Sequence, residues 1–419
     1  MSGPLPARHD RAPRVLVLDG FWNKALAAVR SLGRRGVFVT AGERTRLAPA
    51  LFSRYCRRRF VHPSVERHPE AFLAALEWEL QATGYDVVLP MELGTQLLVT
   101  EHRRRLEPGA RIPFADADRT LRVHDKGFLT AFARDHGIEC PATFFPEGPE
   151  DAAALSVDLP YPVLVKPRHS SGGRGIRRVE RRADFVAAYA MVHARFPAPI
   201  VQECLPPGGD ALGVAVLMNF ASEPRASFAY RRLREYPASG GPSTLRESIR
   251  DPNLRATTER LLSLLGWVGV AMAEFKVDPR DGRPKLLEVN PRFWGSLQHA
   301  ILCGVDFPWL LYRMAVDGDA DRVTGYEVGV KSRSLLHGEV MRFVMGPERF
   351  RLRPALCDFS IPDDVLSADD PWPTLGRIAS LVALVRDQDL RATVRGGSPC
   401  ARRCLRENPR LMSGRRGSR

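Results

Sequence analysis

Lysine is nearly missing from this 419-residue chain: only six lysines stand among its 62 basic residues, and arginine supplies the rest. Long apolar runs are missing as well. The longest, LLSLLGWVGVAMAEF, is broken by glycines and an acid, which excludes a membrane-spanning helix on sequence grounds. The opening MSGPLPARHDRAPR leads into a strand too short for a signal-peptide core. The seven cysteines are scattered and odd in number, which argues against a disulfide framework and for a reducing, cytoplasmic compartment. Only Cys400 and Cys404 lie close together, and a metal site there is a weaker reading than two ordinary thiols. No GK[ST] follows a glycine-rich turn, so a Walker P-loop is excluded. The fingerprint glycines of a dinucleotide site are missing after the first strand, where Asp19-Gly20-Phe21-Trp22 stands instead.

The net charge of +14 raises the question of nucleic acid. The arginines, however, are distributed along the whole chain, with dense spots at 57–59 and 103–105, and no nucleic-acid-binding motif is recognisable. Attraction for an anionic nucleotide and acidic substrates, together with a codon bias toward arginine, accounts for the charge without specific nucleic-acid binding. At this length, with 44% hydrophobic residues, the chain can bury a large core and should comprise two or three domains.

What is present is a pair of acids in AEFKVDPRDGRPKLLEVNPRFWG. AMAEFKVD and KLLEVN are short apolar strands, and PRDGRP between them has the Pro, Asp and Gly of a tight connection, so a β-hairpin is expected. Pairing places Glu274 beside Glu288, and Asn290 points to the same face because strand side chains alternate with period two. Like charges set opposite each other destabilise a sheet, so such a pair calls for a cation, and hard oxygen ligands suit Mg²⁺. Arg292, two residues further on, can grip a phosphoryl oxygen. An isolated E-x-N pattern would be an ordinary solvated hairpin; its companions change that reading.

The first companion is VLVKPRHSSGGRGI, residues 163–176, in which a strand carrying Lys166 runs into a Ser/Gly loop whose N–H groups can close over a phosphate. The second is IVQECLPPGGD, residues 200–210. Its strand end at Gln202, Glu203, Cys204 and Leu205 offers backbone donors and acceptors to an adenine edge, and Asp210 is suited to a ribose hydroxyl pair. The third is Lys126, near the start of a helix with Phe128, Leu129, Phe132 and Ala133 at helical spacing. In a chain so poor in lysine, Lys126 and Lys166 look selected for a task that arginine does less well.

Taken in order, these residues resemble the ATP-grasp superfamily over about residues 14 to 315, and within it the carboxylate–amine ligases related to carbamoyl-phosphate synthase and D-aspartate ligase. The resemblance implies a nucleotide held between two β-sheet lobes. Lys126, Lys166 and the loop residues Ser170, Ser171, Gly172, Gly173 and Gly175 would lie on its phosphates, Gln202, Glu203, Cys204 and Leu205 along its adenine, and Asp210 on its ribose. Glu274, Glu288 and Asn290 would hold two Mg²⁺ ions, with Mn²⁺ as an alternative. It further implies a carboxylate attacking the γ-phosphate to form an acyl phosphate, which an amine then displaces; phosphoryl transfer of this kind depends on positioning and charge neutralisation. The expected partners are small, amino-acid-like acids and amines, and a homodimer is left open. The alternative is a nucleotide-binding protein that keeps the fold for a regulatory or assembly role. Carboxylation is the less favoured chemistry, because its dedicated extra domains are not recognisable.

The organisation expected is an N-terminal parallel α/β domain at 14–117 after a flexible 1–13, then a two-lobed α+β grasp at 118–318. A C-terminal extension at 319–404 and a basic disordered tail at 405–419 follow. RVLVLDG, FWNKALAAVRSLGRRG and VFVTAG read as strand, helix and strand, and 69–82 as a helix before the strand YDVVLPME. This first domain is expected on the substrate side, with Gly20 and Glu92 as contacts. RIPFADADR, residues 111–119, is the expected hinge. The 228–249 loop reads equally well as a lid or as a surface loop; Arg232 and Arg246 are its candidates for clamping a substrate carboxylate. FWGSLQHAILCGVDFPWLLYRMAVDG reads as helix–turn–helix, with Trp294 and His299 in its core and Gly295-Ser296 near the phosphates. VGVKSRSLLHGEVMRF is expected to add strand structure, and PTLGRIASLVALVRD an amphipathic helix.

Overall fold

The computed structural model describes residues 11–170, 172–236, 241–345 and 358–386. Ser171, the loop centre at 237–240, Cys400, Cys404 and the 405–419 tail lie outside the described residues.

The first sheet is parallel: β1 Arg14–Val17, β2 Phe38–Glu43, β3 Cys56–Val61 and β4 Val87–Leu89, in the order β3-β2-β1-β4. Parallel neighbours need crossovers, and the helices Asn23–Arg34 and Pro69–Thr83 serve where a βαβ opening was expected. Val15, Leu16 and Val17 are fully buried, as strands covered on both faces must be.

The second sheet is small and antiparallel, with β5 Thr143–Phe144, β6 Val163–Lys166, β7 Arg177–Val179 and β8 Ile200–Glu203 in the order β5-β8-β6-β7. Its apolar face closes on Phe185 and Tyr189 of the helix Arg182–Arg195.

The third sheet has six antiparallel strands: β9 Ala211–Met218, β10 Pro224–Glu235, β11 Ser243–Ser248, β12 Gly269–Val277, β13 Pro284–Asn290 and β14 Lys331–Arg333, in the order β13-β12-β9-β10-β11-β14. Period-two alternation divides its side chains between two cores. Val214, Val216, Ala271 and Ala273 pack with the helices Ala117–His124, Lys126–Asp135 and Pro252–Leu264. Ala215, Leu217, Phe228, Tyr230, Val270 and Met272 join the core of the parallel sheet. The N-terminal α/β layer and the large sheet therefore share one apolar core, and Glu274, two residues beyond Met272, continues along that shared face.

Two expectations for the C-terminal part are met in part. Only Lys331–Arg333 of VGVKSRSLLHGEVMRF is strand; a π-helical turn, Leu335–Glu339, and a helix, Val340–Met345, follow. Glu339 explains the change: buried at this turn, it takes Arg234 at 2.6 Å and the Thr244 hydroxyl, and that anchoring overrides strand pattern. The helix Trp372–Arg386 forms as expected, but it packs with Gly376, Arg377 and Ser380 inward, while Trp372, Leu375 and Ile378 face outward. Its polar side is buried because the segment before it is anchored by charge: Asp370 receives Arg30 Nε at 2.9 Å, Ser53 Oγ at 2.7 Å and the Arg54 backbone N–H at 2.9 Å.

Candidate active site

β12 and β13 form the expected hairpin, and Glu274 pairs with Glu288 in register, with Met272 opposite Asn290. The Asn290 amide donates to Glu274 Oε1 at 3.0 Å and reaches Glu288 Oε1 at 3.5 Å, so two carboxylates and an amide share one face. Each acid is met by its own cation. Arg232 Nη2 lies 2.6 Å from Glu274 Oε2, and Lys126 Nζ lies 2.9 Å from Glu288 Oε2. Burial pushes the Glu274 carboxyl up; Arg232 opposes this and Glu288 adds to it, with a net rise. Burial also acts on Glu288, but Lys126, Lys166 and Arg232 outweigh it and hold that carboxyl below its ordinary value.

Lys126 opens the helix Lys126–Asp135, whose N-cap Asp125 accepts from the N–H groups of Gly127 at 2.8 Å and Phe128 at 3.2 Å. The cap fixes the backbone from which the ammonium reaches Glu288 and the Ser170 carbonyl, at 2.5 Å. Lys166 ends β6 and donates to Gln202 Oε1 at 2.5 Å. Burial, with the Lys126 charge adding, lowers its ammonium to about 8. Between these lysines the loop turns through Gly172, Gly173 and Gly175, all with φ between 64° and 74°, a region that side chains with a Cβ rarely adopt. Arg168 pins the loop to Asp125 at 2.7 Å.

The adenine-side expectation is corrected in its donors. The N–H groups of Glu203 and Cys204 are taken by the carbonyls of Ala142 and Pro162, because β8 pairs on both sides. The Gln202 side chain is buried and holds Lys166 and Thr143, while Glu203 meets Arg280 of the hairpin turn at 2.5 Å. Leu205 lies two residues beyond the end of β8. Asp210 stands just before β9, half-exposed, 3.3 Å from Arg231.

Arg232 and Arg246 lie directly opposite each other on β10 and β11, and their fates differ. Arg232 enters the site. Arg246 is 1% exposed, ion-paired with buried Asp364 and bonded to Ser332 Oγ at 3.0 Å, so it has no face left for a substrate carboxylate. Gly20 is corrected likewise: its N–H and carbonyl bond Gly42 and Ala50, and a Cβ there would lie 2.9 Å from Leu51. Trp294 and His299 are buried core residues, Gly295 is exposed and Ser296 buried.

Arg292 faces a cluster that sequence reasoning met only through Glu92. Lys24, 2% exposed, sits 2.7 Å from Glu92 Oε1 and donates to the Phe293 carbonyl at 3.0 Å. Burial and the nearby Arg292 charge lower the Lys24 ammonium to about 8. Asp19 holds the floor in a left-handed conformation, φ 62°, accepting from the N–H groups of Met91 and Glu92, both at 2.8 Å, and from Thr95 Oγ1 at 2.6 Å. Burial pushes its carboxyl up to about 7. The signal that could have found Lys24 is the one that singled out Lys126 and Lys166, the scarcity of lysine. His124, buried beside Lys126 and held well below its ordinary pKa by burial, carried no such signal.

Among the described residues no three His, Cys, Asp or Glu side chains gather as a metal cluster. The set present is two carboxylates with the Asn290 amide nitrogen on them; with that amide turned to present its oxygen the three offer hard oxygen ligands, which fits Mg²⁺ sharing its shell with phosphates. Among the described residues no helix is long and apolar enough to cross a membrane.

Residues 219–335 match a family described as "ATP-grasp in the biosynthetic pathway with Ter operon". Acetyl-CoA carboxylase of Saccharomyces cerevisiae is 26% identical over 184 residues, 42% of this chain but 8% of the yeast protein. The C-terminal section of the carbamoyl phosphate synthase large chain from Methanopyrus kandleri is 24% identical over 196 residues, 44% of this chain and 36% of that one. The chain thus spans a small part of these relatives. Among solved structures, the biotin carboxylase–beta-gamma-ATP complex from Campylobacter jejuni superposes with a TM-score of 0.63 at 16% identity, covering 77% of this chain and 74% of its own.

Proposed function

We propose that this chain, an ATP-grasp protein by its fold, is an ATP-dependent ligase that activates a small carboxylate and transfers the acyl group to an amine. The observation that carries the reading is the Glu274–Glu288 pair in register, bridged by Asn290 and met by separate cations. Lys126 and Lys166 would bind the nucleotide's phosphates, with Gly172, Gly173 and Gly175 closing over them. Leu205 would meet the adenine and Asp210 the ribose. Glu274, Glu288 and Asn290 would hold Mg²⁺, which when bound neutralises phosphate charge.

A carboxylate oxygen of the acid then attacks the γ-phosphorus, and the bridging P–O bond breaks with its electron pair going to ADP. The amine attacks the acyl carbon, the bond to the phosphate oxygen breaks, and the amine gives up a proton. Arg232 orients the acid and Arg292 the transferred phosphoryl group, both by charge-assisted hydrogen bonds that strengthen as negative charge develops. Arg292 makes no ion pair with a carboxylate among the described residues, which leaves its guanidinium for an anion. The Lys24–Glu92 pair supports an amino-acid-like substrate, since Glu92 can accept from an ammonium group.

Carboxylation is the second reading, favoured by the match to acetyl-CoA carboxylase. The test is phosphate release from Mg·ATP with pools of amino acids, small carboxylic acids and bicarbonate, beside Glu288→Gln. Release that needs an acid and an amine and falls about 10²–10³-fold in Glu288→Gln supports the ligase. Release with bicarbonate and no amine supports the second reading, and Mg·ATP binding without release under any pool overturns both.

A further inference from the structure

In a regular strand, residues three apart point to opposite faces, yet Arg232 Nη1 donates to Glu235 Oε1 at 3.2 Å on the same strand. The pairing of β10 with β11 slips between Arg232 and Arg234 and again between Arg234 and Glu235, and these irregularities break the alternation. Bulges beside a site characteristically re-aim a side chain. Here the effect is to bring a second acid to a guanidinium that already has one: Arg232 spans Glu274 at 2.6 Å and Glu235 at 3.2 Å, with its Nε buried and unpartnered.

Glu274 has a competing task in the ligase reading, on which this inference rests. A divalent cation between Glu274 and Glu288 would draw on the same Glu274 carboxylate that Arg232 holds by Oε2 at 2.6 Å, and the two positive charges repel each other, so the guanidinium is pushed off Glu274 as the metal arrives. Without a second partner it would be a buried, unpaired cation beside a newly bound metal.

We infer that Glu235 is a positioning residue that retains Arg232 once a divalent cation has taken Glu274, so that Arg232 becomes available to the acid substrate only after the metal–nucleotide is in place. Arg232 then turns the Nη2 edge it withdrew from Glu274 toward the incoming carboxylate, and the order of binding is metal–nucleotide first, acid second.

Mn·ADP is the probe, its binding read from the loss of the free Mn²⁺ electron paramagnetic resonance signal for wild type, Glu235→Gln, Arg232→Gln and the double variant. Glu235→Gln should weaken Mn·ADP about tenfold, the size of an ordinary coupling between contacting residues, because Arg232 stays on Glu274. In the Arg232→Gln background the same change should have less than about a twofold effect, since no guanidinium remains to displace. Equal weakening in both backgrounds would mean that Glu235 acts on the metal by its own charge, and no weakening in either would mean that it retains nothing; each overturns the inference. If Glu235→Gln fails to fold, Glu235→Asp carries the same comparison, with a smaller loss expected. Absence of Mn·ADP binding to the wild type is a separate outcome that removes the ligase reading and this inference with it.

Discussion

Replacing Arg246 by methionine tests whether this arginine supports the large sheet or serves the substrate. Arg246 and Asp364 are each 1% exposed, and the guanidinium also donates to Ser332 Oγ at 3.0 Å. Removing one member of such a pair strands the other, at a cost of about 3–5 kcal/mol. Burial already pushes the Asp364 carboxyl up to about 6 with Arg246 opposing the rise. Without Arg246 the carboxyl rises further. A carboxyl whose folded pKa is raised contributes stability that is complete below its unfolded pKa and is lost as pH rises through the folded one. The deficit of the variant should therefore widen from near pH 6 to near pH 8. Urea unfolding followed by fluorescence of the buried Trp267 and Trp294 measures it. Arg246→Met/Asp364→Asn should regain at least half the loss, because no charge is left buried. Wild-type stability near pH 8 with loss of acid-dependent phosphate release would refute the structural assignment and restore Arg246 to the substrate.

Three further outcomes follow from the geometry. Lys166 loses its charge near its pKa of about 8, so ADP affinity measured calorimetrically should fall as pH rises through that value, and Lys166→Arg should flatten the profile; an unchanged affinity in wild type above pH 9 would remove Lys166 from the phosphates. A Cβ at Gly209 would sit 1.8 Å from the Val277 carbonyl oxygen, so Gly209→Ala should lower stability by about 1–3 kcal/mol and raise the KM for ATP, and a wild-type melting curve would contradict this. Asp19, at about 7 when folded against an ordinary 3.8, loses stability as pH rises between those values. Asp19→Asn, which can keep the backbone hydrogen bonds and the left-handed conformation, should gain up to about 4 kcal/mol relative to wild type on going from near pH 4 to near pH 8; parallel pH profiles would count against it.

Much of the fold was legible because it is written in local periodicity. The alternation in AMAEFKVD and KLLEVN, with turn residues between, is enough to set Glu274 beside Glu288 and Asn290 on their face. The βαβ opening and the helix carrying Lys126 follow from apolar spacing in the same way. The end of β14 at Arg333 was not legible, because a buried Glu339 held by Arg234 and Thr244 sets the backbone there.

The sequence by itself singled out the candidates for the chemistry: two scarce lysines, a glycine loop and a hairpin with two acids and an amide, each defined over a few neighbouring positions. Only the tertiary structure decided which charge meets which. Arg232 and Arg246 sit opposite each other with similar surroundings in sequence, yet one faces Glu274 and the other is claimed by Asp364 from a distant segment. Lys24 reached Glu92 and the Phe293 carbonyl only because the parallel sheet and the large sheet close on one core. Periodicity is local, whereas ion pairing depends on which segments the packing of two sheets brings within about 4 Å of each other.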